Sequence, residues 1–310
     1  MEKQKSVLPV LLAVLLVTGM TAAAELTENR EILFPEIAAI AAGALIAPKL
    51  SWQTDAPHLF GSICIGAAAG ILIVRFVPLP LWMQLCLAFL LASGLFLVSR
   101  TGFAPMISAI VLPVMIQSES VVYPVAAAIL TLLILAARRL TEAFGIRAHE
   151  AFTPLPAPDR KAALDLFVRW GIGCGILILA VLTGFRFAAA PPLLVAYTEF
   201  WKPTSPAQKH PIRMVLFITV CALIGAGLRM GAGLLGMPLF PAAGLTMLAV
   251  CLLMLHTKLF VPPAAALSVL AYLIPENAVT AYPVMILAGA SALTAAAVLH
   301  GKVICRKGEA

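Results

Sequence analysis

Charge is what this chain has least of. Asp, Glu, Lys and Arg make up 11% of its 310 residues, and aromatic residues only 7%. A soluble domain carries about a quarter charged residues, so no water-soluble fold could hide so much apolar surface. Several kinds of chemistry are missing too. The six Cys contain no CxxC pair, and five of them (Cys64, Cys86, Cys174, Cys221 and Cys251) lie in apolar runs as small packing residues. His58, His149, His210, His256 and His300 show no metal-ligand spacing, and HExxH, GxSxG and a phosphate loop are all absent. Gly171-Ile172-Gly173-Cys174-Gly175 sits inside an apolar run with no strand before it, so it is no dinucleotide fingerprint. These absences leave no expected cofactor, metal or enzymatic activity.

What is present is apolar length. Hydrophobic residues make up 62% of the chain, and mean hydropathy is +1.03. The runs are continuous and do not alternate, which predicts transmembrane helices and not barrel strands. The net charge of +7 does not indicate nucleic-acid binding, because the positives sit in short loops between apolar runs.

The apolar unit occurs twice, 155–159 residues apart. Pro48 returns as Pro203, Gly70 as Gly225, Pro80 as Pro238, Pro105 as Pro262, Glu119 as Glu276, and Tyr123-Pro124 as Tyr282-Pro283. Six segments are expected per half: 7–24, 33–48, 58–76, 81–98, 103–117 and 120–138, then 167–185, 190–202, 213–231, 238–256, 260–275 and 279–299. The fold class is therefore an all-α polytopic membrane protein. It has a first repeat over 1–138, a cytoplasmic linker over 139–166 with a short surface helix near 139–150, and a second repeat over 167–310. Lys3, Lys5 and Ala22-Ala23-Ala24 resemble a secretory signal, but the segment at 167–185 holds the same place in the second half, which argues for a retained helix.

Counting fixes the expected orientation. If all twelve segments cross, 17 of the 21 Lys and Arg face the cytoplasm, and only Arg30, Arg75, Arg186 and Arg229 face out. If segments two and five only dip in and return, Lys49, Arg100, Lys202, Lys209, Arg213 and Lys258 change sides, leaving 11 against 10. The bias favours full crossing, although segments two and five are short of the ~20 residues a spanning helix needs. Either way the halves are parallel, related by a pseudo-two-fold along the membrane normal, with both termini cytoplasmic in the cell membrane.

The stretch KPTSPAQKHPIRMVLFITVCALIGAG from Lys202, followed by HTKLFVPPAAALSVLAYLI, resembles the HPP family of integral membrane proteins. In that family a His-Pro-Pro box precedes an Ala-rich helix. Here the box reads Val261-Pro262-Pro263, and in the first half Phe103-Ala104-Pro105. The resemblance covers most of each half and implies small-anion transport, with nitrite as the model substrate.

Candidate site residues follow from this. Thr101 and Thr257 are placed to cap segment five, with Pro105, Pro262 and Pro263 in its first turn. Such a helix start inside the protein would point free N–H groups at an anion. Lys202, Thr204, Ser205 and Gln208 offer cations, hydroxyls and an amide to an oxyanion, or form an ordinary positive-inside loop. Glu199 lies within an apolar segment, and Glu36 starts its counterpart; ionisable groups at membrane depth suggest a functional role, here proton coupling or gating. Glu36 also suits an exposed outer position. Glu119 and Glu276 are gate candidates or simple helix caps, Tyr123 and Tyr282 interfacial anchors, and Arg75 and Arg229 snorkelling cations. Gly66/Gly70 and Gly227/Gly231 form GxxxG pairs that suit close packing of segment three.

The expected function is a secondary carrier or channel for a small solute, with membrane lipids as surroundings and homo-oligomer formation left open. The competing expectation is a non-transporting scaffold for assembly or lipid handling. Cysteines placed at Ser51 and Thr204 are expected to resist an impermeant thiol reagent added outside intact cells; labelling from outside would overturn the twelve-crossing topology.

Overall fold

The computed structural model describes residues 7–308, with side chains through residue 302. The expectations for Lys3 and Lys5 lie outside the described residues, as does the Cys305 side chain. Every regular element among the described residues is helical. Eight helices are long and apolar enough to cross a membrane: α1 (Val7–Leu26), α3 (Ala56–Phe76), α4 (Leu81–Ser99), α6 (Val122–Ala143), α7 (Arg160–Leu182), α10 (Pro211–Leu234), α11 (Leu239–Thr257) and α14 (Tyr282–Gly308). Leu72, Leu91, Ile129, Leu179, Leu216 and Leu223 on these helices lie about half or more exposed, as lipid-facing side chains do. This is a multi-pass membrane protein.

Four short helices are interleaved with the long ones: α2 (Glu36–Ala41, continued by a π-helical turn Ala42–Ile46), α5 (Pro105–Ile116), α8 (Pro191–Phe200) and α12 (Pro262–Leu270). Single turns α9 (Pro206–Lys209) and α13 (Glu276–Val279) sit in connections. Even α5, with 12 residues, reaches only about 18 Å at about 1.5 Å per residue, against a hydrocarbon core of about 30 Å.

Contacts between connections order the ends. On one face lie the ends of α2 and α4, joined to the linker by Arg147 Nη2 to the Ala47 carbonyl (2.9 Å) and Arg100 Nε to the Leu155 carbonyl (2.5 Å). On the other face Arg75 Nε, at the end of α3, donates to the Glu119 carbonyl (2.7 Å), and Ser118 Oγ, after α5, donates to Glu31 (2.9 Å). Glu25, at the end of α1, accepts from the Leu239 and Phe240 amides that open α11 (2.7 and 3.1 Å). Arg213 joins the start of α10 to the end of α11, and Asp165 and His300 join the start of α7 to the late turns of α14. Successive segments therefore run alternately between a linker face and a far face, the short ones included.

Capping explains where several helices begin and end. Asp55 and Asp159 accept the His58 and Ala162 amides at the starts of α3 and α7. α7 therefore opens at Arg160 instead of residue 167, with Arg160 and Lys161 exposed in its first turn. The expected surface helix near 139–150 is absent: α6 runs on to Ala143, and Gly145 (φ +64°) turns the chain back. Burial depresses the Arg147 guanidinium below its ordinary value, with Glu150 and Glu142 opposing and Arg138 adding to the effect.

The core forms where short helices meet long ones. Gly70 on α3 faces α5 so closely that a Cβ would lie 2.4 Å from the Ile110 carbonyl oxygen, and Gly225 on α10 would place one 2.0 Å from the Ser268 carbonyl oxygen of α12. The expected packing of segment three holds for Gly66 and Gly70. In the second half it belongs to Gly225, because Gly227 and Gly231 face open space. Gly225→Val should cost about 1–3 kcal/mol or more by overpacking, lowering the melting temperature in detergent, whereas Gly227→Ala should melt like wild type; equal melting of both variants would refute this packing.

Candidate functional site

Each short helix is covered by a short helix from the other half: α2 packs on α12, and α8 on α5. Every residue of α2 and α12 is buried, as is α5 from Pro105 through Met115. Glu36, Pro105, Pro262 and Pro263 therefore enter one central block, edged by Glu199. The prolines occupy first-turn positions as expected.

Glu36 is 1% exposed, which rules out the outer-surface position. Its Oε1 accepts a hydrogen bond from Ser108 on α5, and its Oε2 has no partner among the described residues. Phe34, two residues earlier, meets Tyr123 edge-on at 5.9 Å, and the Tyr123 hydroxyl points at the Ala109 carbonyl (3.5 Å). The chain entering α2 thus carries the carboxylate inward, between α5 and α6. Tyr123 and Tyr282 are fully buried and are not interfacial anchors; Tyr282 donates to the Leu267 carbonyl (2.7 Å) and meets Phe187 at 6.1 Å.

Glu199, in the last turn of α8, accepts from Trp52 Nε1 at 2.7 Å. Trp52 is buried against Phe103 (5.3 Å, edge-on) and against Gly43, where a Cβ would fall 2.4 Å from the indole. One side chain thus links the π-turn of α2, the carboxylate of α8 and the approach to α5. Sequence reasoning passed over Trp52; its signal was a Trp, one of only four in the chain, in a loop between apolar segments.

The last carbonyls of the short helices have no intrahelical partner and need donors. Arg229, 5% exposed, donates to the carbonyls of Ala271 and Ile274 (2.7 Å for the latter) just past α12. It is therefore not a snorkelling cation. Gln208 Nε2 serves the Phe200 carbonyl at the end of α8 (2.7 Å) and the Ala297 carbonyl of α14 (3.2 Å). Arg147 serves Ala47 after α2, and Gln117 Nε2 serves Val114 in α5 (2.8 Å).

The other candidates have different roles. Thr101 and Thr257 do not cap α5 and α12, which start from Ala104 and Val261; their hydroxyls accept the Phe103 and Leu259 amides (3.2 and 3.4 Å) because the chain turns left-handed at Arg100 and Lys258. Ser205 caps the single turn α9, while Lys202 and Thr204 are exposed at the linker face. Glu119 and Glu276 are exposed on the far face; Glu276 opens α13, and Glu119 contributes its backbone carbonyl to Arg75.

Compared with family models, with curated proteins and with solved structures, the chain has no match. Ser108→Ala should leave Glu36 without its one side-chain donor and cost about 1–3 kcal/mol, read as a lower melting temperature in detergent; Ser93→Ala, whose buried hydroxyl has no partner, should cost less.

Proposed function

We propose that the chain is a secondary carrier for a small solute, with a small inorganic anion such as nitrite as the first substrate to test. The observation that carries this reading is the central block. Four helices too short to span the bilayer meet there around Glu36 and bring Glu199 to its linker-side edge. Discontinuous helices and membrane-embedded carboxylates are the parts from which carriers build a midplane site and a proton relay. The unpartnered Oε2 of Glu36 is a place for a proton, and Glu199 with Trp52 closes the linker end of the block.

The proposal includes two tandem six-segment repeats related by an axis along the membrane normal. Paired contacts support this: α1 lies along α11 as α7 lies along α4, and α2 meets α12 as α8 meets α5. Tyr123 with Phe34 and Tyr282 with Phe187 repeat the same geometry, and Arg100 and Lys258 end α4 and α11 in the same left-handed turn. A Pro-initiated segment five in each half is what the resemblance to the HPP family, read from the sequence motifs alone, would lead one to expect. The excess of Lys and Arg on the linker face supports a cytoplasmic linker face in a cell membrane. Rocking of one half against the other would open the block to each face in turn, driven by a gradient.

The alternative is a non-transporting membrane scaffold, and one observation favours it: α5 and α12 are buried along almost their whole length. Transport assays separate the two readings. Protein reconstituted in liposomes should take up nitrite when an inward proton gradient is imposed, and Glu199→Gln should uncouple that uptake from the gradient. Proton-coupled flux unchanged in Glu199→Gln removes Glu199 from the mechanism. Absence of flux for every small anion and neutral solute tried leaves the scaffold.

A further inference from the structure

Away from the central block, the seam between α4 and α7 holds a buried cation that makes no direct ion pair among the described residues. Arg169 is the tenth residue of α7, about 13 Å along the helix from its start at about 1.5 Å per residue. It is 7% exposed. Its Nε has no acceptor, and no carboxylate lies within ion-pair distance among the described residues. The nearest acid along the helix, Asp165, acts on the guanidinium only from beyond ion-pair distance; its Oδ1 accepts from Trp201 Nε1 (2.8 Å) and faces His300 Nε2 (3.6 Å). The Arg169 backbone carbonyl is taken by the Tyr197 hydroxyl (3.2 Å), and its guanidinium lies 5.9 Å from the Phe96 ring on α4. Ser93, one turn before Phe96, is fully buried, and its hydroxyl also lacks a partner. Phe89 meets α7 at Gly173, so Ser93 falls between the levels of Gly173 and Arg169 on the facing helix.

A buried guanidinium with an unsatisfied N–H and no direct ion pair is costly until an acceptor completes it. The neighbouring surface indicates what that is. Beside the seam, α3, α4 and α7 enclose an apolar groove of about 670 Å³, lined by Ile65, Leu91, Gly94, Val98, Leu166 and Phe167 among others. Leu166 on α7 and Gly94, Leu95 and Leu97 on α4 line the groove; Arg169, Ser93 and Phe96 do not, but each lies within three residues of one of them along the same helix. Exposed Arg160 and Lys161 stand at the linker-face start of the same helix. A ligand that satisfies all of this carries a phosphate for the guanidinium and a hydrocarbon chain for the groove.

We propose that the α4–α7 seam is a binding site for an anionic phospholipid, its phosphate held by Arg169 with help from the Ser93 hydroxyl and one acyl chain lying in the groove. The site is independent of the carrier reading, because neither Arg169 nor Ser93 belongs to the central block. Without lipid, Arg169 is a destabilising charge; with it, the seam between the halves is locked.

The test uses full-length protein, delipidated in detergent, with dioleoyl phosphatidylglycerol, dioleoyl phosphatidylcholine or inorganic phosphate added, read by native mass spectrometry and thermal melting. Wild type should retain phosphatidylglycerol at least about tenfold more strongly than phosphatidylcholine, and its melting temperature should rise with the lipid but not with inorganic phosphate. Arg169→Met should lose the retention and the rise, yet melt no lower than wild type in lipid-free detergent. Gly94→Phe, placed where a Cβ meets open space, should fill the groove and weaken retention while leaving Arg169 intact. It also keeps the test decisive should the Met variant fail to fold. Equal retention by either folded variant, an equal rise with inorganic phosphate, or a lower lipid-free melting temperature for Arg169→Met would each overturn the proposal.

Discussion

The constraint on which this structure depends is that no backbone polar group can be left to lipid. Four of its twelve segments contain helices too short to reach across the hydrocarbon. The last carbonyls of those helices have no partner within the helix and must find one elsewhere. Two devices meet this requirement. Helix backbones come into direct contact at glycine, as at Gly70 and Gly225, and at Gly289, where a Cβ would lie 1.8 Å from the Ala188 carbonyl oxygen. Long polar side chains then reach the last carbonyls of the short helices: Arg147 for α2, Gln208 for α8 and Arg229 for α12. Buried cations and amides that would be expensive alone are thus made part of the scaffold.

Much of this was legible in the sequence, and the limits have physical causes. Apolar length and low charge fixed the helical membrane class and most segment positions. Pro105, Pro262 and Pro263 marked the starts of short helices because proline fits a first turn, where its missing N–H costs nothing. Charge was harder to place. Arg229 sits near the end of a long helix, where a snorkelling Arg would also sit, and only the partner carbonyls of Ala271 and Ile274 decide between the two. Tyr123 and Tyr282 follow the connections like interfacial aromatics, but their rings turn inward onto Phe34 and Phe187. Glu36 looked like a loop-edge residue, because nothing in a sequence says how deep an inter-helix loop dips. Its partner Ser108 is 72 residues away, and Trp52 lies 147 residues from Glu199; contacts at such separations leave no local pattern.

The same arrangement bears on function. A block of short helices covered by each other, one of them holding a carboxylate that forms no ion pair among the described residues, is a poor choice for a purely structural core, where a leucine would pack without a hydrogen-bonding requirement. Glu199 and Trp52 lie at the linker end of the block and Arg229 lies near the far end, so each face has its own polar closure.

The central claim is that the halves are interlocked, each laying its first helix along the fourth of the other. A disulfide across α1 and α11 tests it most directly. A Cβ built at Gly244 lies 3.6 Å from the Cβ of Thr18, within the range disulfides accept. With the native cysteines replaced, Thr18→Cys combined with Gly244→Cys should cross-link within a single chain in native membranes, shown by a faster-migrating monomer under non-reducing conditions. A cross-link that forms only between two chains, or none under oxidising conditions, would contradict the interlocked arrangement.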